Sequence, residues 1–179
     1  MRLGIYIGSF NPPHIGHIDI VNYLLINKYV DRVLIVPTLS YWNKDNLIDI
    51  KHRINMLKFF ENEKVEVDTK HNQYEYTYQL MRALSIDYQD ELYLIMGADN
   101  IIEFDKWKNY QELLKYKIIV MNRDDIDINK YIKKYKSNNF IVVNDYEYIP
   151  VSSSIVRSNL DSKYLDSKVL KYIKDNKLF

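Results

Sequence analysis

Two histidines three residues apart, His14 and His17, sit in the stretch Gly8-Ser9-Phe10-Asn11-Pro12-Pro13-His14-Ile15-Gly16-His17. That spacing puts both imidazoles on one face of a helix's first turn, where unpaired backbone N–H groups and the positive end of the helix dipole point the same way. Pro12 and Pro13 suit a helix start, because an N–H at that place has no intrahelical partner to lose. Gly8 and Gly16 leave room for a ligand to approach the backbone. Two imidazoles able to donate hydrogen bonds and to carry charge are equipped to hold a polyphosphate there. Neither G-x-G-x-x-G nor G-x-x-x-x-G-K-[ST] occurs, so the commoner glycine-rich phosphate cradles are absent.

A second cluster lies near the other end, in Pro150-Val151-Ser152-Ser153-Ser154-Ile155-Val156-Arg157. Serine is a preferred helix N-cap, and hydroxyls and amides at a helix start form an anion site. Arg157, one turn on, can fork onto phosphate oxygens. The serines are poor nucleophile candidates, since no His or Asp stands locally to activate one. Mid-chain, Asp99 follows an apolar run that reads as a strand, and Trp107 comes eight residues later.

Short apolar runs alternate with helical patterns along the chain. Leu3–Ile7, Val33–Val36, Val65–Val67, Leu92–Met96, Ile118–Met121 and Phe140–Val143 read as strands. Helical spacing covers about Ile15–Tyr29, Asp49–Phe60, Tyr76–Ser85, Tyr110–Leu114, Ser153–Asn159 and Ser167–Lys177. Strands that are continuously apolar and alternate with helices predict an α/β fold, a doubly wound parallel sheet in three layers. Ligands of such sheets sit beyond the carboxyl ends of the strands, which here means after Ile7, Val36, Met96, Met121 and Val143.

The 179 residues suit one domain spanning 1–179, with a core that needs no staples. The chain has no cysteine, which excludes disulfides and thiolate metal sites and fits a cytoplasmic location. No apolar run approaches a membrane span, and the N-terminus has no signal-peptide pattern. The net charge of +1, with both signs mixed throughout, offers no field for a nucleic-acid backbone. The composition is compatible with a homo-oligomer.

G-S-F-N-P-P-H-x-G-H resembles the signature of the HxGH nucleotidylyltransferases, and S-S-S-I-V-R resembles that superfamily's [IV]-S-[ST]-[ST]-x-[IV]-R motif. The resemblance implies a Rossmann-like fold and direct attack of an acceptor phosphate on the α-phosphorus of ATP. It implies catalytic roles for His14, His17 and Arg157, with Gly8, Ser9, Phe10, Gly16, Asp99, Ser152, Ser153 and Ser154 holding ATP. Magnesium would ride on the triphosphate, with no protein metal site. Gly97-Ala98-Asp99-Asn100, Trp107 and Glu112-Leu113-Leu114 resemble the pattern of bacterial nicotinate mononucleotide adenylyltransferases. That likeness implies ATP and a pyridine mononucleotide as partners. It places Asn11, Lys44, Tyr76, Thr77, Trp107 and Arg123 around the acceptor, with Arg53 orienting the loop of Lys44.

Departures from the family pattern cluster around the acceptor: Tyr41-Trp42-Asn43-Lys44 in place of P-P-H-K, Leu80 in place of Thr, Asp124-Asp125 after Arg123, and Asn11 where Asp is common. Two other readings use the same motifs: phosphopantetheine adenylyl transfer, and a catalytically silent nucleotide sensor. The first usually carries Thr at the position of His14, and it lacks the G-A-D-N and Trp segment.

Overall fold

A computed structural model of the protein describes residues 1–39 and 47–179. Six strands, β1 (Arg2–Gly8), β2 (Arg32–Pro37), β3 (Val65–Val67), β4 (Glu91–Gly97), β5 (Lys117–Met121) and β6 (Phe140–Val143), pair in parallel throughout. Their order is β3-β2-β1-β4-β5-β6. Ile5 in β1 faces Leu34 in β2 on one side and Leu94 in β4 on the other. The connection direction reverses between β1 and β4, so a crevice opens there at the carboxyl ends of the central strands.

The helices are α1 (Ile15–Ile26), α2 (Ile50–Leu57), α3 (Thr77–Asp87), α4 (Ala98–Ile101), α5 (Tyr110–Leu113), α6 (Ile128–Ile132), α7 (Ser153–Asn159) and α8 (Ser167–Asp175). Alternate residues of a strand point to opposite faces, and the two faces feed separate cores. Leu3, Ile5, Leu94 and Ile118 pack with Leu80 and Leu84 of α3 and Phe104. Tyr6, Ile35, Ile95 and Ile119 pack with Val21 and Leu24 of α1. A third core joins Met56 of α2 to Val151, Val156 of α7, and Val169 and Ile173 of α8. This last cluster seats the C-terminal helices beside the first half of the sheet.

The six expected strands and the doubly wound architecture are present. Helix α1 stops at Ile26, short of Tyr29, because Lys28 turns into the left-handed region at φ 57°. Helices α4 and α6 were not expected. Each is four or five residues long, and α6 buries Ile128 alone, which is too little for a helical period to register.

Candidate active site

The loop after β1 turns its carbonyls toward the protein. Thr38 donates to Gly8 O from its N–H (2.9 Å) and its hydroxyl (3.3 Å). Arg53 donates to Ser9 O at 2.8 Å, Arg157 to Asn11 O at 2.7 Å, and the Ser153 hydroxyl to Pro12 O at 2.9 Å. A loop whose oxygens are so occupied presents few acceptors to repel an anion. Phe10 adopts φ 47°, left-handed for a residue with a side chain, and its ring is buried against Tyr6 and His17.

His14 is the N-cap of α1, and His17 lies on the same face of the first turn. Their rings stack with centroids 3.7 Å apart and planes at 22°. The backbone N–H of His14 donates to Nδ1 of His17 at 3.1 Å. A neutral His17 therefore carries its proton on Nε2, the nitrogen that remains free to donate. Burial lowers the pKa of His14 to about 4, with the Arg123 charge adding to the effect. Burial, then His14, then Arg123 hold His17 well below the usual imidazole value. Both rings are thus neutral at pH 7 in the ligand-free protein, whereas spacing alone allowed them to carry charge. His14 Nδ1 is enclosed with no hydrogen-bond partner among the described residues.

The C-terminal motif meets this loop directly. Ser152 caps α7, accepting from Ile155 N, and Arg157 also donates to the Ser154 hydroxyl at 3.2 Å. Tyr164 O accepts from Ile15 N at 3.0 Å, so the segment between α7 and α8 ties off one amide of α1. A Cβ on Gly16 would stand 2.9 Å from Val151 Cγ1 and 3.1 Å from the His14 ring. One on Gly8 would lie 3.0 Å from the Phe10 ring. Both glycines thus serve the protein's own close packing, and both also border the central cleft.

Three contiguous hollows run across this end of the sheet. The first, about 390 Å³, is bordered by Ser9, Asn11, Ser152, Ser153, Ser154 and Arg157. It shares Phe10, His14, His17 and Arg123 with a central cleft of about 360 Å³ that also borders Gly8, Gly16, Asp99 and Thr77. Thr77 and Trp107 pass on to a third of about 270 Å³, where Tyr76, Glu75 and Lys108 stand. Asn11, expected beside the acceptor, borders the serine and histidine end, and Arg123 borders both that end and the central cleft that reaches Thr77 and Trp107, because the loops after β1 and β5 converge there. Lys44 lies outside the described residues. Trp107 is half-buried and packs edge-on against Phe104 at 5.4 Å, leaving part of its indole to the cleft.

Motif reading missed several cleft residues. Thr38, Asn122, Tyr146 and Tyr148 line the centre without belonging to any quoted pattern. Tyr146 is anchored by its hydroxyl to Asp19 of α1 at 2.7 Å, and its carbonyl accepts from Asn122. Their positions after β2, β5 and β6 were the available signal, since strand carboxyl ends were already the expected location.

Fold and site together define a nucleotide-binding α/β transferase of the HxGH type. The family model described as cytidylyltransferase-like matches residues 5–159. A protein of Fusobacterium nucleatum subsp. nucleatum, curated as "Probable nicotinate-nucleotide adenylyltransferase", is 35% identical across 91% of this chain and 89% of its own. One of Acholeplasma laidlawii with the same curated name is 35% identical across 98% and 96%. In fold, the chain matches the Plasmodium falciparum nicotinic acid mononucleotide adenylyltransferase complexed with NaAD, with a TM-score of 0.81, 22% identity, and 99% and 96% of the two chains covered. The chain belongs to the cytidylyltransferase-like family and, within it, to the nicotinate-nucleotide adenylyltransferases. No helix among the described residues is long and apolar enough to cross a membrane.

Proposed function

We propose that the protein transfers AMP from ATP to nicotinate mononucleotide, forming deamido-NAD and pyrophosphate. The observation that carries this reading is the junction of the two end motifs. Ser153 and Arg157 bond the carbonyls of Pro12 and Asn11 beside the His14–His17 pair, and the cleft continues from there to Trp107 and Thr77.

In this mechanism a phosphate oxygen of the acceptor attacks the α-phosphorus of ATP. The bond from that phosphorus to the bridging oxygen breaks, and pyrophosphate leaves with the electron pair. No covalent enzyme intermediate forms, so the protein acts by positioning and by stabilising charge that develops on the phosphoryl oxygens. His17 donates from Nε2–H, and Arg157 and Arg123 offset the charge gathering on the leaving group. A polyphosphate close to the two rings favours their protonated forms, reversing the effect of burial and of Arg123. The serine hydroxyls and the start of α7 hold the outer phosphates.

Asp99 is exposed at the end of β4, suited to ribose hydroxyls, and Trp107 stacks on the pyridine ring above Tyr76 and Thr77. Among the described residues no three His, Asp or Glu side chains form a metal-binding group. Magnesium in this reading enters as part of the substrate, bound to the triphosphate, in a cytoplasmic enzyme. Pyrophosphate release with ATP and, in turn, nicotinate mononucleotide, nicotinamide mononucleotide and phosphopantetheine tests the proposal. The first acceptor should give the highest kcat/KM, and release with phosphopantetheine alone would overturn the assignment.

A further inference from the structure

Arg53, in the middle of α2, is 1% exposed and borders none of the three hollows. Its Nη1 donates to Ser9 O (2.8 Å) and Thr38 O (2.7 Å), and its Nε to Ile48 O (3.1 Å). Among the described residues no carboxylate pairs with it. Burial lowers its pKa to about 10, so it stays a cation at pH 7, with Asp49 as the anion whose field reaches it. A buried charge without an ion-pair partner is costly to keep, and ordinary helix packing would be served as well by an apolar side chain.

The geometry of one peptide supplies the reason. The only cis peptide among the described residues is Asn11-Pro12, so the Ser9–Phe10 peptide is trans, and its C=O and N–H point in opposite directions. With Ser9 O drawn to Arg53 behind the loop, the Phe10 N–H points to the other side, where Ser9 and Phe10 border the phosphate-end hollows. No partner for that N–H exists among the described residues. Phe10 sits at φ 47° in this arrangement, a conformation that costs about 1–2 kcal/mol for a residue with a Cβ.

We infer that Arg53 is a positioning residue for adenylyl transfer: it locks the Ser9–Phe10 peptide so that the Phe10 amide donates to a phosphate of the bound nucleotide. The same guanidinium holds the loops after β1 and β2 in register, through Ser9 and Thr38. This role rests on the cleft being a nucleotide site. A lysine cannot replace it, because a point ammonium cannot match the fork that reaches three carbonyls in fixed directions.

Phe10 is the only phenylalanine preceded by serine. Protein labelled with carbonyl-13C serine and 15N phenylalanine therefore yields a single correlated amide signal, that of Phe10. In the wild type this signal should shift on addition of magnesium ATP. In R53K it should start elsewhere and respond less, and kcat per folded molecule should fall on the order of 10- to 100-fold. R53Q serves where R53K does not fold. ATP binding by calorimetry without a Phe10 response in the wild type overturns the inference alone. So does a variant with a lowered melting temperature but wild-type turnover, which marks Arg53 as merely structural. Absence of ATP binding in the wild type overturns the nucleotide reading of the cleft, and this role with it.

Discussion

Replacing Gly16 with alanine perturbs the junction of the two end motifs while removing no functional group. The new methyl would stand 2.9 Å from Val151 Cγ1 and 3.1 Å from both Cε1 and Nδ1 of His14. Carbon atoms rest at about 3.5–4.0 Å, so Val151, His14 or the start of α1 must retreat by at least about 0.6 Å. Both neighbours are buried and have little room to yield. Overpacking of this kind costs ~1–3 kcal/mol, and a Gly→Ala change inside a helix returns up to ~1 kcal/mol, less in the first turn. The net loss of stability is about 0–3 kcal/mol, or up to roughly ten degrees of melting temperature for a chain of this size. Turnover should suffer more, because the displacement moves either an imidazole to which the proposed mechanism gives a role or the segment that carries the serines. A shift approaching 1 Å is worth on the order of 10- to 100-fold in rate. Pyrophosphate release and thermal melting, measured on the same preparation, separate the two effects. Wild-type kcat and wild-type KM for ATP in G16A would refute the claim that this contact sets the site.

Three further outcomes follow from the same geometry. H17A should lower kcat about 100-fold or more, as removal of a donor aimed at developing charge does, with the circular dichroism spectrum of the wild type; near-normal turnover would strip His17 of its role. W107A should raise the acceptor KM with kcat changed by only a few-fold, since stacking binds ground and transition states alike, and some melting temperature is lost with the Phe104 contact. An unchanged KM would return Trp107 to packing alone. The ligand-free protein should lose stability as pH falls from 6.5 toward 4. His14 is held at about 4 by burial, so below 6.5 the unfolded chain binds the extra proton and ΔG of unfolding drops by about 1.4 kcal/mol per pH unit from this ring alone. Denaturant titrations of wild type and H14N across that range should converge as pH falls, and parallel curves would contradict the neutral, buried ring.

His71 works in the opposite direction. Its Nδ1 and Nε2 lie 2.7 and 2.8 Å from Asp68 and Asp87. Burial opposes its protonation, but the two carboxylates outweigh that and raise its pKa. Its contribution is present in full below the unfolded value and is lost as pH climbs through the folded one, so it leaves the acid limb to His14 and His17.

Short-range signals made much of this protein legible. The strand runs from Leu3 to Val143, the three-residue step from His14 to His17 and the serine cap before Arg157 all depend on neighbours within a turn or a pleat. Periodicity and capping rules read those directly. Helices α4 and α6 were not legible: α4 is one turn that follows β4 without a break, and α6 buries Ile128 alone.

The remainder belongs to residues that meet only in space. The chain by itself determined an alternating α/β order, a phosphate-competent helix start and a second anion motif at the far end. Tertiary structure decided that Gly16 makes room for Val151, and that Arg123 borders both the serine end and the central cleft. It also decided that both histidines are neutral before ligand arrives, and that Arg53 spends its fork on three carbonyls. Desolvation, hydrogen-bond direction and close packing depend on what surrounds a group in three dimensions, and sequence spacing carries no record of neighbours a hundred residues away.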